Sequence, residues 1–227
     1  MSRKFNILLV STEVHPFAKT GGLADVSSAL PPALKKLGHD IRVIMPKYAC
    51  TAKAGIAIKP LNPDLDIQIQ DICHKGSLFQ SELADNVPIY LIEQKDYYNR
   101  EYLYGEPGSE YPDNVERFAY FCQAVLKACK KLDFKPDIIH CNDWHTGLIP
   151  VYLKTNNDPF FSQTKTLFSI HNLGYQGNYP HSRLAATGLS ELLFQPDGIE
   201  FYGQFSFLNA GLIFADTLTT VSPAYSK

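Results

Sequence analysis

The sequence predicts an α/β protein built on a doubly wound, mostly parallel sheet, with an antiparallel hairpin inserted part-way along the chain. Three observations lead there. Short apolar runs, β-branched in part, alternate with stretches of helical periodicity along most of the 227 residues. The first run and the first periodic stretch are joined through Gly21-Gly22, as at the start of a βαβ unit. Only the middle breaks the alternation, where strand-like runs follow one another with no helix between them.

Phe5-Asn-Ile-Leu-Leu-Val10, bounded by Ser11-Thr12, suits a buried parallel strand. Leu23, Val26, Leu30, Leu34 and Leu37 then recur at helical spacing, and Gly38 supplies the stop. Pro31-Pro32 falls inside this helix and is expected to bend it, because Pro31 has no N–H to give the carbonyl four residues back. Residues 41–45 read as the second strand. Ile67, Ile69 and Ile72 alternate imperfectly with polar residues, and Val87–Ile92 follows an Asp85-Asn86 turn. These are expected to be antiparallel strands with one wet face. Residues 95–113, rich in Tyr, Gly, Pro and charge, read as a long surface loop.

Asp113-Asn-Val-Glu116 has the pattern of a capping box, and Val115, Phe118, Cys122, Val125, Leu126 and Cys129 share a face of the helix it opens. A strand over 137–141, a helix over about 146–154 and strands over 166–170 and 217–221 complete the alternation. Ser222-Pro223 pairs an N-cap residue with proline at the first helical position. The chain then stops at Lys227, within that helix's first turn, so residues 1–227 are expected to be one domain of a longer protein, truncated at its C-terminal end.

Composition narrows the function. Hydrophobic residues at 45% and charged residues at 19% support a sizeable core and argue against disorder. A formal net charge of -2 gives no general attraction to nucleic acid or an anionic membrane, so an anionic ligand needs a local site. Five cysteines, with no C-x-x-C pair, read as buried thiols of a reduced, cytoplasmic protein. The apolar start is too short for an export segment, and no run approaches the ~20 apolar residues of a membrane helix.

In a doubly wound sheet ligands bind beyond the carboxyl ends of the strands. Lys19-Thr-Gly-Gly-Leu-Ala-Asp25 falls there, between the first strand and its helix. Gly21 and Gly22 let backbone approach a ligand, the helix start offers unpaired N–H groups, and Lys19 adds a full charge, a set suited to phosphate. The bland alternative is a flexible turn with a solvated lysine. Neither a G-x-G-x-x-G nor a P-loop pattern is present. Asp25 either complements the helix dipole or orients Lys19 or a sugar hydroxyl. His171-Asn172 follows a buried strand, and Gly174 and Gly177 permit a tight loop there. His140, Asp143 and His145 straddle a strand end and a helix start, so their spacing does not assure a metal site, and none is expected. Asp143 suits the N-cap of the next helix, with Trp144 and His145 packing or lining a cleft. Tyr97, Tyr98, Tyr102, Tyr104 and Tyr111 crowd the long loop, for sugar stacking or for packing. No glycosidase-like carboxylate pair stands out; Glu13 with Asp25 is the weak candidate.

Ser11-Thr-Glu13 followed by Pro16-Phe-Ala-Lys-Thr-Gly-Gly-Leu-Ala-Asp-Val26 resembles the opening signature of bacterial glycogen synthases and plant starch synthases. The similarity continues through Ala29-Leu-Pro31, Tyr111-Pro-Asp-Asn114 with Arg117-Phe118, His140-Cys-Asn-Asp-Trp-His-Thr-Gly147, His171-Asn-Leu-Gly-Tyr-Gln-Gly177 and Val221-Ser-Pro-Ala-Tyr225, in family order. The resemblance implies the N-terminal lobe of a GT-B type glycosyltransferase with twin Rossmann-like lobes. Its reaction would carry glucose from ADP-glucose, or a similar nucleotide glucose, to the non-reducing end of an α-1,4-glucan with retention, without cofactor or bound metal; the sequence does not choose between ADP-glucose and UDP-glucose. The expected partners are the nucleotide sugar, the glucan and a C-terminal nucleotide-binding lobe that these residues lack, so the lobe alone is expected to transfer weakly or not at all.

By the same resemblance, Lys19 with Gly21 and Gly22 binds the donor and His171 lies at the transferring glucose; beside them, Asn172 is a candidate donor contact and Asp25 a candidate catalytic residue. Tyr111, Asn114, Arg117, Asp143, Trp144, His145 and Gln176 hold the acceptor or support the site. Two other classes stay open: a non-catalytic glucan-binding module and, more weakly, a doubly wound metal hydrolase.

Overall fold

The computed structural model describes residues 3–222. Strand β1 (Asn6–Val10) is buried along its last four residues and needs cover on both faces. Helix α1 (Gly22–Lys36) returns the chain to β2 (Asp40–Pro46), which pairs with β1 in parallel, Ile7 opposite Ile41. The helix runs on through Pro31 and Pro32, both buried, so the prolines do not end it. Val26 and Leu37, expected on the apolar stripe, are exposed.

The insertion differs from expectation. Strands β3 (Lys59–Asp64), β4 (Ile67–Ile69), β5 (Ile72–His74), β6 (Ser77–Leu83) and β7 (Val87–Glu93) follow in succession. Ile67, Ile69 and Ile72 form only the small β4–β5 hairpin, while β3 and β6 join the main sheet beside β7. β7 pairs with β2 in parallel and with β6 antiparallel, and its Val87, Ile89, Tyr90, Leu91 and Ile92 are buried, so it has no wet face. β3 escapes sequence reading because Pro60 marks it as a non-strand; as the last strand of the sheet it tolerates a missing donor.

The stretch 95–113, expected as a loop, opens with a helical turn, α2 (Lys95–Tyr98), and its Tyr97 and Tyr98 are buried. It leads into α3 (Asn114–Lys131), a helix buried around most of its circumference. The capping box is not made. Asp113 makes no cap bond; Arg100 holds its carboxylate, with Nη1 at 2.8 Å, and Glu116 pairs with Arg183 at 2.6 Å.

The second half runs β8 (Ile138–Asn142), a 3₁₀ turn at Trp144–Thr146, α4 (Leu148–Asn156), β9 (Lys165–Ile170), β10 (Asn178–Pro180), β11 (Glu200–Phe201), β12 (Gln204–Ser206), α5 (Phe207–Phe214) and β13 (Thr217–Thr220). The helix expected from 146 thus starts two residues later. A Cβ on Gly147 would stand 1.9 Å from the carbonyl oxygen of Phe207, so this glycine lets the start of α4 meet α5. The main sheet has the order β13-β9-β8-β1-β2-β7-β6-β3, with the first six strands parallel, and β10, β12 and β11 form a small antiparallel sheet. Residues 223–227, with the proposed helix start at Pro223 and the end of the Val221–Tyr225 block, lie outside the described residues. Among the described residues no helix is long and apolar enough to cross a membrane. Cys122, Cys129 and Cys141 are buried, but Cys50 is only partly covered and Cys73 is exposed, against expectation.

β1, β8 and β9 are adjacent and parallel, so the loops after Val10, Asn142 and Ile170 leave the same edge of the sheet. The three signature blocks that carry Lys19, Asp143 and His171 all reach that edge.

Candidate active-site cleft

The glycine loop is held from below by an acid. Buried Glu13 accepts from the Thr20 N–H (2.6 Å), the Gly21 N–H (3.0 Å), the Thr20 hydroxyl (2.5 Å) and the Tyr104 hydroxyl (2.8 Å). Gly21 stands at the N-cap of α1 in extended conformation and offers no side chain to the first-turn N–H groups. Among the described residues, a Cβ built on Gly21 or Gly22 meets nothing within 4 Å. Packing among the described residues therefore does not call for glycine at either place, and the start of the helix is open to approach there. Lys19 and Asp25 stand beside the loop as an ion pair at 2.7 and 2.9 Å. Asp25 thus orients Lys19, one of the roles the sequence left open.

Asp143 follows β8 at φ 63°, ψ 172°, a region essentially reserved for glycine. Its N–H donates to the Ser169 carbonyl at 2.8 Å, extending the β8–β9 ladder by one bond. The expected N-cap bond is absent: among the described residues the carboxylate makes no such contact, and Oδ1 is buried without a hydrogen-bond partner. Burial pushes this carboxyl up to about 6, against the main-chain N–H groups of Trp144, His171 and Asn172, which favour its charged form. A strained, poorly solvated acid at a sheet edge is a functional-site signature.

Trp144 and His145 form a stack continued by Tyr104, with ring centroids 3.9 Å and 4.6 Å apart. Burial holds the His145 imidazole well below its ordinary pKa, with Arg117 acting in the same direction, and among the described residues its Nδ1 has no hydrogen-bond partner. Gly177 backs the stack at φ 59°, where a Cβ would stand 2.3 Å from the Trp144 ring. His171, at the end of β9, lies with Nε2 3.0 Å from Asn142 Oδ1. Burial lowers its pKa, opposed by the charge of Glu13. Asn172 turns its side chain back to accept from the Gly174 N–H at 2.8 Å, which closes the loop as an Asx turn.

These groups enclose a cleft of about 850 Å³. It is lined by Thr20 to Leu23, by Asp143 to His145, by His171, Asn172 and Tyr175, and by Tyr104 to Glu106 and Gly108 to Glu110. Of the residues singled out from sequence, Gly21, Gly22, Asp143, Trp144, His145, His171 and Asn172 meet here.

Tyr111, Asn114 and Arg117 do not line the cleft; they stand behind it. Arg117 is fully buried and donates to the carbonyls of Tyr97 (2.8 Å) and Leu103 (2.7 Å) and to Asn114 Oδ1 (2.6 Å). Asn114 in turn donates to the Tyr104 carbonyl, and the Tyr111 ring packs against the guanidinium groups of Arg100 and Arg117. This clamp shapes the loop that carries Tyr104. Gln176 bonds to Leu173 and Asn178 with its side chain, while its carbonyl accepts from Ser206 and Leu208. Glu13, named from sequence only as a carboxylate partner for Asp25, holds the glycine loop instead; Tyr104 is the loop tyrosine that reaches the cleft, and Asn142 is a contributor to which sequence reading gave no role. His140 bonds Ser169 at 2.6 Å, and among the described residues no group of three or more His, Cys, Asp or Glu could hold a metal ion.

The family model described as the starch synthase catalytic domain matches residues 6–227. The chain belongs to the starch synthase catalytic domain family. Glycogen synthase 2 of Geobacter sulfurreducens is 47% identical over 223 residues, and the glycogen synthase of Syntrophotalea carbinolica is 48% identical over 222; each alignment covers 97% of this chain and 46% of the relative. A solved structure, the catalytic domain of Starch Synthase IV from Arabidopsis thaliana bound to ADP and acarbose, superposes with a TM-score of 0.89 at 29% identity, covering 99% of this chain and 46% of that one. The chain therefore spans about half the length of the starch and glycogen synthases it matches.

Proposed function

We propose that this chain forms the acceptor-side lobe of a retaining glucosyltransferase that moves glucose from a nucleotide glucose, ADP-glucose by preference, to the non-reducing end of an α-1,4-glucan. The observation that carries this reading is the meeting of the bare N-terminus of α1 with His171 and Asp143 in one cleft. The first-turn N–H groups and Lys19 suit the diphosphate, which gains charge as the glycosidic bond breaks. A neutral His171 suits a glucose hydroxyl, and the aromatic wall at Tyr104 suits the acceptor's sugar faces. The ADP and acarbose held by the Arabidopsis relative are consistent with the same two ligand classes here. Asp25 acts through Lys19, while Tyr111, Asn114, Arg117 and Gln176 support the cleft walls.

The test is transfer by the intact protein from labelled ADP-glucose or UDP-glucose to maltooligosaccharide, with the new linkage read by NMR. An α-1,4 linkage formed faster from ADP-glucose is expected. Glucan binding with no transfer from either donor would instead establish a binding module. Residues 1–227 expressed alone are expected to transfer at least 100-fold more slowly, since a cleft open on one side positions its reactants poorly (effects of order 10² for misplacement).

A further inference from the structure

His171 has a neighbour whose own hydrogen bonds are fully assigned. Asn142, the last residue of β8, is completely buried. Its side-chain nitrogen donates to the carbonyls of Val10 at 3.2 Å and His140 at 3.1 Å. Both amide N–H groups are thereby used, and turning the amide over would set its oxygen against two carbonyl oxygens. Oδ1 is therefore the atom 3.0 Å from His171 Nε2, and an amide oxygen can only accept. Nε2 has to donate. A neutral imidazole carries one proton, so a proton on Nε2 leaves Nδ1 with a bare lone pair. Burial disfavours the second proton, against a smaller pull from Glu13. Among the described residues no hydrogen bond to Nδ1 is present, and the ring lines the cleft.

We propose that Asn142 is a positioning residue: it locks His171 as the Nε2–H tautomer, so that Nδ1 accepts a hydrogen bond from a hydroxyl of the bound sugar. The tautomer follows from the packing alone; its use on a sugar hydroxyl rests on the glucosyl-transfer reading. His171 in this state gives no proton to a leaving group, and it favours a ligand that presents a donor over one that presents only an ether or carbonyl oxygen. Sequence alone did not reveal the role, because nothing in His140-Cys-Asn142 says which carbonyls the amide will meet.

The tautomer is read directly from a two-bond ¹H–¹⁵N spectrum of the intact protein, labelled at histidine, at pH 7.5. His171 is assigned by the resonance lost in His171→Gln. The expected result is a protonated Nε2 and a bare Nδ1, with the proton redistributed between the two nitrogens in Asn142→Ala. A wild-type proton on Nδ1 or on both nitrogens overturns the proposal, as does an unchanged pattern in Asn142→Ala.

Since Asn142→Ala also frees two carbonyls, a second comparison leaves residue 142 intact. His171→Asn keeps a polar atom near the Nδ1 position, and His171→Gln keeps one near Nε2. In glucosyl transfer by the intact protein, kcat is expected to be on the order of tenfold higher for His171→Asn than for His171→Gln, the worth of one net hydrogen bond. The reverse order overturns the acceptor assignment. The expected spectrum in a wild-type protein that transfers no glucose upholds the tautomer and removes the functional reading.

Discussion

At the scale of single residues, two positions separate function from folding. Among the described residues, nothing stands within 4 Å of a Cβ built on Gly22. Gly22→Ala should therefore leave stability unchanged or raise it by up to ~1 kcal/mol, because alanine is the better helix former. The same methyl group stands where a phosphate would approach, so ADP affinity measured by calorimetry should fall at least tenfold, about 1.4 kcal/mol. A fall in melting temperature with unchanged ADP affinity would show that Gly22 serves the fold alone. Asp143 makes the opposite kind of case. Its folded pKa, near 6, lies above the ordinary carboxylate value, so the stability it contributes is fully present below about pH 4 and is lost as pH rises through 6. Carrying a carboxyl from its ordinary pKa to that height corresponds to roughly 3 kcal/mol. Asp143→Asn should remove that part of the pH dependence, gaining up to this amount over wild type at pH 8 in urea unfolding, while transfer activity falls at least 100-fold. A mutant less stable than wild type at pH 8 would contradict the assignment of a strained, poorly solvated acid.

At the scale of elements, the loop between α2 and α3 is a built structure. Buried Arg117 ties the carbonyls of Tyr97 and Leu103 and the Asn114 side chain, and Tyr98 donates back to the Arg117 carbonyl at 2.7 Å. Arg117→Ala would leave these acceptors buried without donors, which costs roughly 3 kcal/mol or more in denaturant unfolding. Lysine should restore little of it, since an ammonium lacks the planar fork of donors. A loss below about 1 kcal/mol would mean the loop stands without its clamp. Sequence misreads this element for a physical reason. Tyrosine, glycine and charge between 95 and 113 look like solvent-facing loop, and only the burial of Arg117, reached across 20 residues from Tyr97, turns the stretch into a shaped wall. The capping box fails likewise: Asp113 and Glu116 each find an arginine from outside the helix, and an ion pair with a distant residue leaves no local pattern.

At the scale of the whole molecule, the parallel part of the fold was legible because β1, β2, β7, β8 and β9 are short runs buried along most of their length, as strands covered on both faces must be; β13, Thr-Leu-Thr-Thr, is largely exposed and was read from its β-branched residues alone. The insertion was legible at the β4–β5 hairpin and at β7; polar, proline-containing β3 carries no such signal. The cleft was legible to the extent that its residues terminate strands. Gly21, Gly22, Asp143, His171 and Asn172 follow β1, β8 and β9, and the topology brings those three strands side by side. What stayed hidden were groups whose role is to hold others: Glu13 under the glycine loop, Asn142 behind His171 and Tyr104 against His145. Their partners lie as far as 91 residues away in sequence, a separation that periodicity cannot bridge.

The most direct test is a crystal structure of the intact protein with ADP and a maltooligosaccharide. The diphosphate oxygens should lie about 3 Å from main-chain N–H groups among Gly21, Gly22 and Leu23, with the glucan running past Tyr104 toward His171. A diphosphate bound away from the N-terminus of α1, with this cleft left to solvent, would contradict the account.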